Sequence, residues 1–479
     1  MGEARRRGNR EQRMSMLWAA HGIKPLTSER YNAYVSWIRS PIADIIGREL
    51  EFFTNEAETL IGVLVFDRTD RDFGYVVLGR DEKGRFRAIE TQVSVPRTDA
   101  RHAMFQSLKR LTATGKTVFP QGDADEDNAG VDLFTIHGNE DKLHPAFKLL
   151  RDHDIWVPAR SIMSEMMQHF VDVDGNFVEQ FQTTAFDARI WELYLYAALL
   201  DLGLFIEKPQ AAPDFQVSRG GQKVFVEAVI VGPSPKDEPL EKDESGVPRL
   251  RTQEEIRELL KTRVPIRFGS ALFSKLNRKT PYWELDHVKG HPLVFAVADF
   301  HENQSMTWTS PALLEYLYGV THDFIFDEGG QLVITPLKIQ THEFEGKQIP
   351  SGYFLQENAE NISAVLFSSS GTLSKFNRMG KLAGFGVENH HMFRVGTRHH
   401  HDPNASLPIS FYYEVDQGQV NESWSEGLSM FHNPHALHPI DPEMFPGIAH
   451  HFFAGGQIQS LLPEFHIYSS FTWNLLGAD

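Results

Sequence analysis

The sequence predicts an α/β core preceded by an N-terminal α+β domain, and three observations carry that prediction. "TTAFDARIWELYLYAALLDLGL" is an apolar segment of helix length, two strand-like runs joined by "SRGGQK" follow it, and "HPLVFAVADF" is continuously apolar in the manner of a strand inside a sheet. The order helix, strand, strand, insertion, helix, strand, helix, strand is that of an α/β layer.

Taken along the chain, "MGEARRRGNREQRM" opens a basic flexible tail over residues 1–30. "LIGVLVFDRTDRDFGYVVLGRDEKGRFRAIETQVSV" then reads as three β-rich runs in a meander, and "RTDARHAMFQSLKRL" as a helix, so 31–157 is an α+β domain. It contains the acidic loop "PQGDADEDNAG". The α/β core is expected over 158–370. Within it, the turn at Gly220 and Gly221 joins two strands, "GPSPKDEPLEKDESGVPR" is a charged insertion, and a helix from Thr252 to about Lys279 breaks near Pro265. "SPALLEYLYG" is a short helix and "NISAVLFSSSG" a strand. From 371 to 479, rich in His, Pro and aromatics, periodicity is weak and irregular structure is expected.

The 479 residues suggest two or three domains, and 41% hydrophobic content is enough for a substantial core. A net charge of -17 excludes coating nucleic acid by charge alone, though not a local basic patch. With no cysteine, disulfides, thiolate zinc sites and cysteine nucleophiles are excluded, which suits a cytoplasmic setting. The longest apolar run, Ile190 to Phe205, contains Glu192 and Asp201 and is too short and acidic to span a membrane.

Three carboxylates stand out. Glu192 lies in "IWELYLYAALL", where a helix that is apolar nearly all round offers it no solvent face, so it must be neutral or meet a cation, with Arg189 as the structural partner at hand. Asp214 precedes one strand and Glu227 sits within the next. A hairpin brings them together, and such a pair of hard oxygen ligands suits Mg²⁺ or Mn²⁺. The flanking "VFVEAVIV" is apolar on both faces, so Glu227 is expected to be buried.

On these residues the chain resembles the PD-(D/E)xK superfamily, with its restriction-endonuclease-like fold, over roughly Thr184 to Ser370. The resemblance rests on a helix carrying Glu192, then "PDF" with Asp214, then "VEA" with Glu227. It implies a mixed sheet flanked by helices, a metal held by Asp214 and Glu227, and a lysine two residues after the second acid that orients or activates water. Val229 stands there instead. Some members carry the lysine on the following helix, and "KTRVPIRFGSALFSKLNRK" holds six basic residues and no acidic one. Lys275 is the candidate for the displaced catalytic lysine, with Lys223 second. Lys261, Arg263, Arg267, Arg278 and Lys279 are candidate nucleic-acid contacts, with Lys275, Arg278 and Lys279 on one helical face.

The expected activity is metal-dependent cleavage of phosphodiester bonds in DNA or RNA, with restriction or phage defence as the setting by fold analogy. Two readings stand beside it: a nucleic-acid-binding module of the same fold without its chemistry, and a structural or partner-binding protein whose carboxylates pair internally. "SSSGTLSKFNRMG", "SMFHNPHALHP", "NFVEQFQTT" and "FDARIWELYL" also resemble a widespread bacterial group of proteins, which adds no mechanism.

Other motifs fail on spacing. "LTATGKT" has Arg110 where a phosphate-binding loop needs glycine, and "VDVDGNF" places Phe170 and Phe181 at calcium-ligand positions, so a hairpin turn at Asp174 and Gly175 is expected instead. His390, His391, His399, His400, His401, His450 and His451 lack a paired i, i+4 metal motif and are expected on a loop-rich surface.

Overall fold

The computed structural model describes residues 22–122, 130–136, 138–173, 175–207, 210–234, 249, 251–416 and 421–477. Most of the expected tail, of the acidic loop and of the charged insertion lies outside these residues, as does Asp174. Contacts divide the chain into two compact units: residues 1–182, 376–388 and 416–421, and residues 183–375, 389–415 and 422–479.

The first unit is built on a five-stranded antiparallel meander, β1 (Ile23–Pro25), β2 (Gly47–Asn55), β3 (Leu60–Asp67), β4 (Phe73–Arg80) and β5 (Phe86–Val95), paired in chain order. The last residues of the expected tail are therefore structured. After β1, Thr27 caps helix α1 (Ser28–Val35) by accepting a hydrogen bond from the Arg30 amide at 3.1 Å.

Alternation along β3 explains the layering. Leu60 and Leu64 point to one face and pack with Ala100, Met104, Phe105 and Leu108 of α2 (Arg97–Ala113), while Ile61 and Val63 point to the other and meet Tyr31, Tyr34 and Val35 of α1. Each such large apolar side chain contributes about 1.5–3 kcal/mol by leaving water. Gly62 lets α2 approach, since a Cβ there would stand 2.7 Å from Leu108. Helices α3 (Pro145–Asp152), α4 (Val157–Met167) and α5 (Phe177–Gln182) complete this part of the chain. Asp172 accepts from the amides of Gly175 and Phe177, so its loop leads into α5 and not into a hairpin.

The second unit opens with α6 (Phe186–Asp201), then β6 (Phe205–Glu207), β7 (Phe215–Arg219), β8 (Gln222–Val231), α7 (Gln253–Lys261), α8 (Arg263–Leu276), β9 (Leu293–Asp299) and α9 (Ser310–Tyr318). Two hairpins follow, β10 (Val320–Phe326) with β11 (Leu332–Lys338) and β12 (Thr341–Phe344) with β13 (Lys347–Pro350). Next come β14 (Ala364–Ser368), then α10 (Leu373–Leu382), most of which belongs to the first unit, then β15 (His390–Arg398), β16 (Ile409–Glu414), β17 (Leu428–His432), β18 (Ala449–Ala454), β19 (Gln457–Leu461) and β20 (Ile467–Leu476) of the second.

The central sheet is mixed and eight-stranded, ordered β19-β18-β17-β14-β9-β8-β7-β6, with β8, β9 and β14 mutually parallel. β9 is buried along its whole length, as its continuously apolar sequence requires. Gly220 and Gly221 both take positive φ, 55° and 83°, and close the two-residue turn between β7 and β8.

Neighbouring residues on β14 place the helices on opposite faces of the sheet. The Phe367 ring lies 6.2 Å from Phe268 of α8, while the Ser368 hydroxyl donates to Tyr194 of α6 at 3.1 Å. The expected helix break falls at Thr262, three residues before Pro265, which sits in the first turn of α8 where its missing N–H leaves no bond unmade.

The C-terminal stretch is regular, contrary to expectation. It supplies β17, β18 and β19 to the central sheet and β15, β16 and β20 to a separate three-stranded one. Its histidines are also not all on surface loops: His390, His450 and His451 are buried. His450 bonds the Phe445 carbonyl and His451 the Ser460 hydroxyl, and burial holds both imidazoles below their usual pKa, hence neutral at pH 7. Among the described residues no helix is long and apolar enough to cross a membrane.

Candidate functional site

The hairpin register sets the site. Phe215 pairs with Val226, so one step back along β7 Asp214 stands opposite Glu227. Asp214 Oδ2 accepts from the Ala228 amide at 2.7 Å, which fixes this half-buried carboxyl against β8. Glu227 is only 5% exposed. By strand alternation it shares the α8 face of the sheet with Phe295, beside it on β9, and with Val365 and Phe367 on β14.

The last turn of α8 delivers Lys275 to this point. Its Nζ lies 2.6 Å from Glu227 Oε1, joining residues 48 apart in sequence. Lys223, the alternative lysine, lies four residues before Glu227 on β8, about 13 Å away at the rise of a strand.

Tyr282 completes the Glu227 environment and was not legible in the sequence. Its hydroxyl donates to Glu227 Oε1 at 2.6 Å, and burial together with the Glu227 charge pushes its pKa well up, so it remains a neutral donor. The Arg278 guanidinium lies 4.5 Å above its ring. No local signal marks Tyr282, because the contact depends on how the loop before β9 folds back over β8.

Glu192 takes the structural partner available to it. Arg189, one helical turn earlier on α6, meets both carboxylate oxygens at 2.8 and 2.7 Å. Glu192 still acts electrostatically on the site. Burial pushes the Asp214 carboxyl up to about 7, and the charges of Glu227 and then Glu192 push the same way, while the Ala228 amide and Lys275 offset them in part.

Among the described residues Glu227 thus pairs with Lys275 and Glu192 with Arg189, while Asp214 forms no ion pair. Among the described residues no group of three or more His, Asp or Glu is placed to hold a metal ion. Asp214 Oδ1 and Glu227 Oε2 have no described hydrogen-bond partner. They suit a cation of the Mg²⁺ type, which binds through one or two carboxylates while water and phosphate fill the remaining positions.

The expected basic stripe is dispersed. Lys261 ends α7, Arg263 and Arg267 belong to α8, and Arg278 and Lys279 lie beyond its end at Leu276, so they do not continue a helical face with Lys275. Arg267 bonds the Gly232 carbonyl at 3.3 Å, whereas Lys261, Arg278 and Lys279 are exposed. Comparison with family models, with curated proteins and with solved structures finds no match to this chain.

Proposed function

We propose that the second unit is a divalent-metal-dependent nuclease core of the PD-(D/E)xK kind, cleaving phosphodiester bonds in DNA or RNA. The observation that carries this reading is Lys275 reaching Glu227 from α8, the second helix after the strand, beside the register-matched Asp214. The lysine absent at Val229 is thereby supplied from elsewhere. The run α6, β6, β7, β8, α7, α8, β9, with an acid on the first helix, supports the same core.

A Mg²⁺ or Mn²⁺ ion on Asp214 and Glu227 would supply charge neutralisation and a more acidic bound water. Lys275 orients the attacking water and steadies negative charge on the phosphate. Tyr282 holds the Glu227 carboxylate in place, Glu192 adds negative potential from α6, and Arg278 binds phosphate at the rim. If bacterial, such a core fits restriction or phage defence, by analogy of fold alone.

A second reading, a nucleic-acid-binding module without turnover, is favoured by the engagement of Glu227 Oε1 with both Lys275 and Tyr282. Cleavage of single- and double-stranded DNA and RNA in Mn²⁺ separates the two. The native chain is expected to cut at least one of these polymers and Lys275→Ala to cut it about 10²–10⁴-fold more slowly. Binding without cleavage by the native chain contradicts the nuclease reading.

A further inference from the structure

In the second unit lies a hollow of about 290 Å³, lined by Trp283, Glu284, Lys289, His291, Asn361 and His438 among others. It is tied to the site through the loop that precedes β9. Tyr282, adjacent to Trp283, bonds Glu227; His287 Nε2 lies 2.9 Å from the Ala212 carbonyl, two residues before Asp214; and the Phe225 amide donates to the Pro292 carbonyl at 2.9 Å. These three ties fix the hollow relative to Asp214 and Glu227. His291 lies four residues before Phe295, the residue level with Glu227, so the separation is about 13 Å along the strand direction, the reach of a few nucleotides.

We propose that this hollow is a nucleobase subsite taking one unpaired base of the strand whose phosphate lies at Asp214 and Glu227. The inference rests on the nuclease reading and extends it to the form of substrate. The volume is at the lower end for ligand pockets and suits one ring system. Trp283 supplies a face for stacking, a sequence-tolerant contact common to proteins that grip single strands. The Glu284 carboxylate and the Asn361 side-chain oxygen accept from the amino edge of a base, Asn361 Nδ2 being committed to the Asn358 carbonyl. Lys289 donates to ring and carbonyl acceptors. Burial, and next to it the Lys223 charge, hold the His291 imidazole below its usual pKa, hence neutral. A base paired and stacked in a duplex cannot enter, so the strand must be single or the base extruded. The net charge of -17 agrees, since it disfavours wrapping a long duplex and leaves recognition to a local pocket.

The test uses the full chain in Mn²⁺ with a single-stranded oligonucleotide, and the same oligonucleotide with an abasic site moved stepwise along it. Trp283→Ala is expected to slow cleavage of the intact strand about ten-fold or more, with Trp283→Phe retaining it. One abasic position should slow the native chain equally and add nothing in Trp283→Ala. Equal cleavage by Trp283→Ala and the native chain overturns the subsite while leaving the nuclease reading intact. If the native chain cuts nothing, the nuclease reading fails by itself, and anisotropy binding of the same oligonucleotide decides the subsite. A ten-fold loss in Trp283→Ala that Trp283→Phe restores supports it. Unchanged binding in Trp283→Ala, or no binding by the native chain, overturns it.

Discussion

Two buried charge clusters in the second unit invite comparison. In one, Lys375 meets Glu422 at 2.6 Å, and Arg394 meets Glu426 at 2.6 Å and Glu422 at 3.3 Å, with the Lys375, Glu422 and Arg394 side chains wholly inaccessible. Arg394 also donates to the Tyr413 hydroxyl. In the other, Glu227 meets Lys275 and Glu192 meets Arg189, the Lys275 side chain is 33% exposed, and among the described residues Asp214 forms no ion pair. A closed network of paired charges holds a fold together. A partly open one with an unpaired carboxylate keeps coordination capacity.

The contrast breaks most visibly in the closed cluster. Glu422→Ala strands Lys375 and Arg394 without their shared carboxylate and is expected to destabilise the second unit by about 3–5 kcal/mol, readable as a fall in melting temperature on the order of 10 °C. A change within 1 °C would mean that the network is no more structural than the open site.

Asp214→Asn should act with the opposite sign. The folded-state value near 7 lies above the ordinary 3.8, so the folded chain holds a proton that the unfolded chain has released. That contribution is complete below about pH 4 and is lost as pH rises through 7, where an unpaired carboxylate remains. In metal-free buffer Asp214→Asn is therefore expected to be more stable than the native chain at pH 8, by on the order of 1–3 kcal/mol, and to match it near pH 4. Thermal melts across that range check it, and a destabilised variant at pH 8 would refute it.

The smallest effect belongs to Tyr282→Phe. It removes one hydrogen bond to Glu227 and should lower stability by about 1 kcal/mol in urea denaturation. A loss above about 3 kcal/mol would instead make Tyr282 a principal support of the site.

Elements whose pattern is local were legible in the sequence. The apolar α6, the Gly-Gly turn that sets Asp214 against Glu227, the buried β9 and the basic α8 with Lys275 all follow from spacing and composition. What escaped depends on distant partners. β17 pairs with β14 across some sixty residues, and β17 and β18 carry buried histidines that read as polar until their carbonyl and hydroxyl partners are known. Tyr282 and the nearby hollow arise from a loop whose course is set by His287 bonding Ala212, ahead of β7, and Pro292 bonding Phe225 of β8. Polar residues buried by long-range pairing leave no periodic trace.

The central claim, that Asp214 serves a divalent cation, is tested most directly by the Mn²⁺-induced change in melting temperature at pH 8 and pH 6, for the native chain and Asp214→Asn. At about 100 times its dissociation constant, the ion should stabilise the native chain by about 2.7 kcal/mol at pH 8. The shift should shrink at pH 6, where a proton occupies Asp214, and vanish in Asp214→Asn. No shift at millimolar Mn²⁺, or an equal shift in both proteins, would contradict the claim.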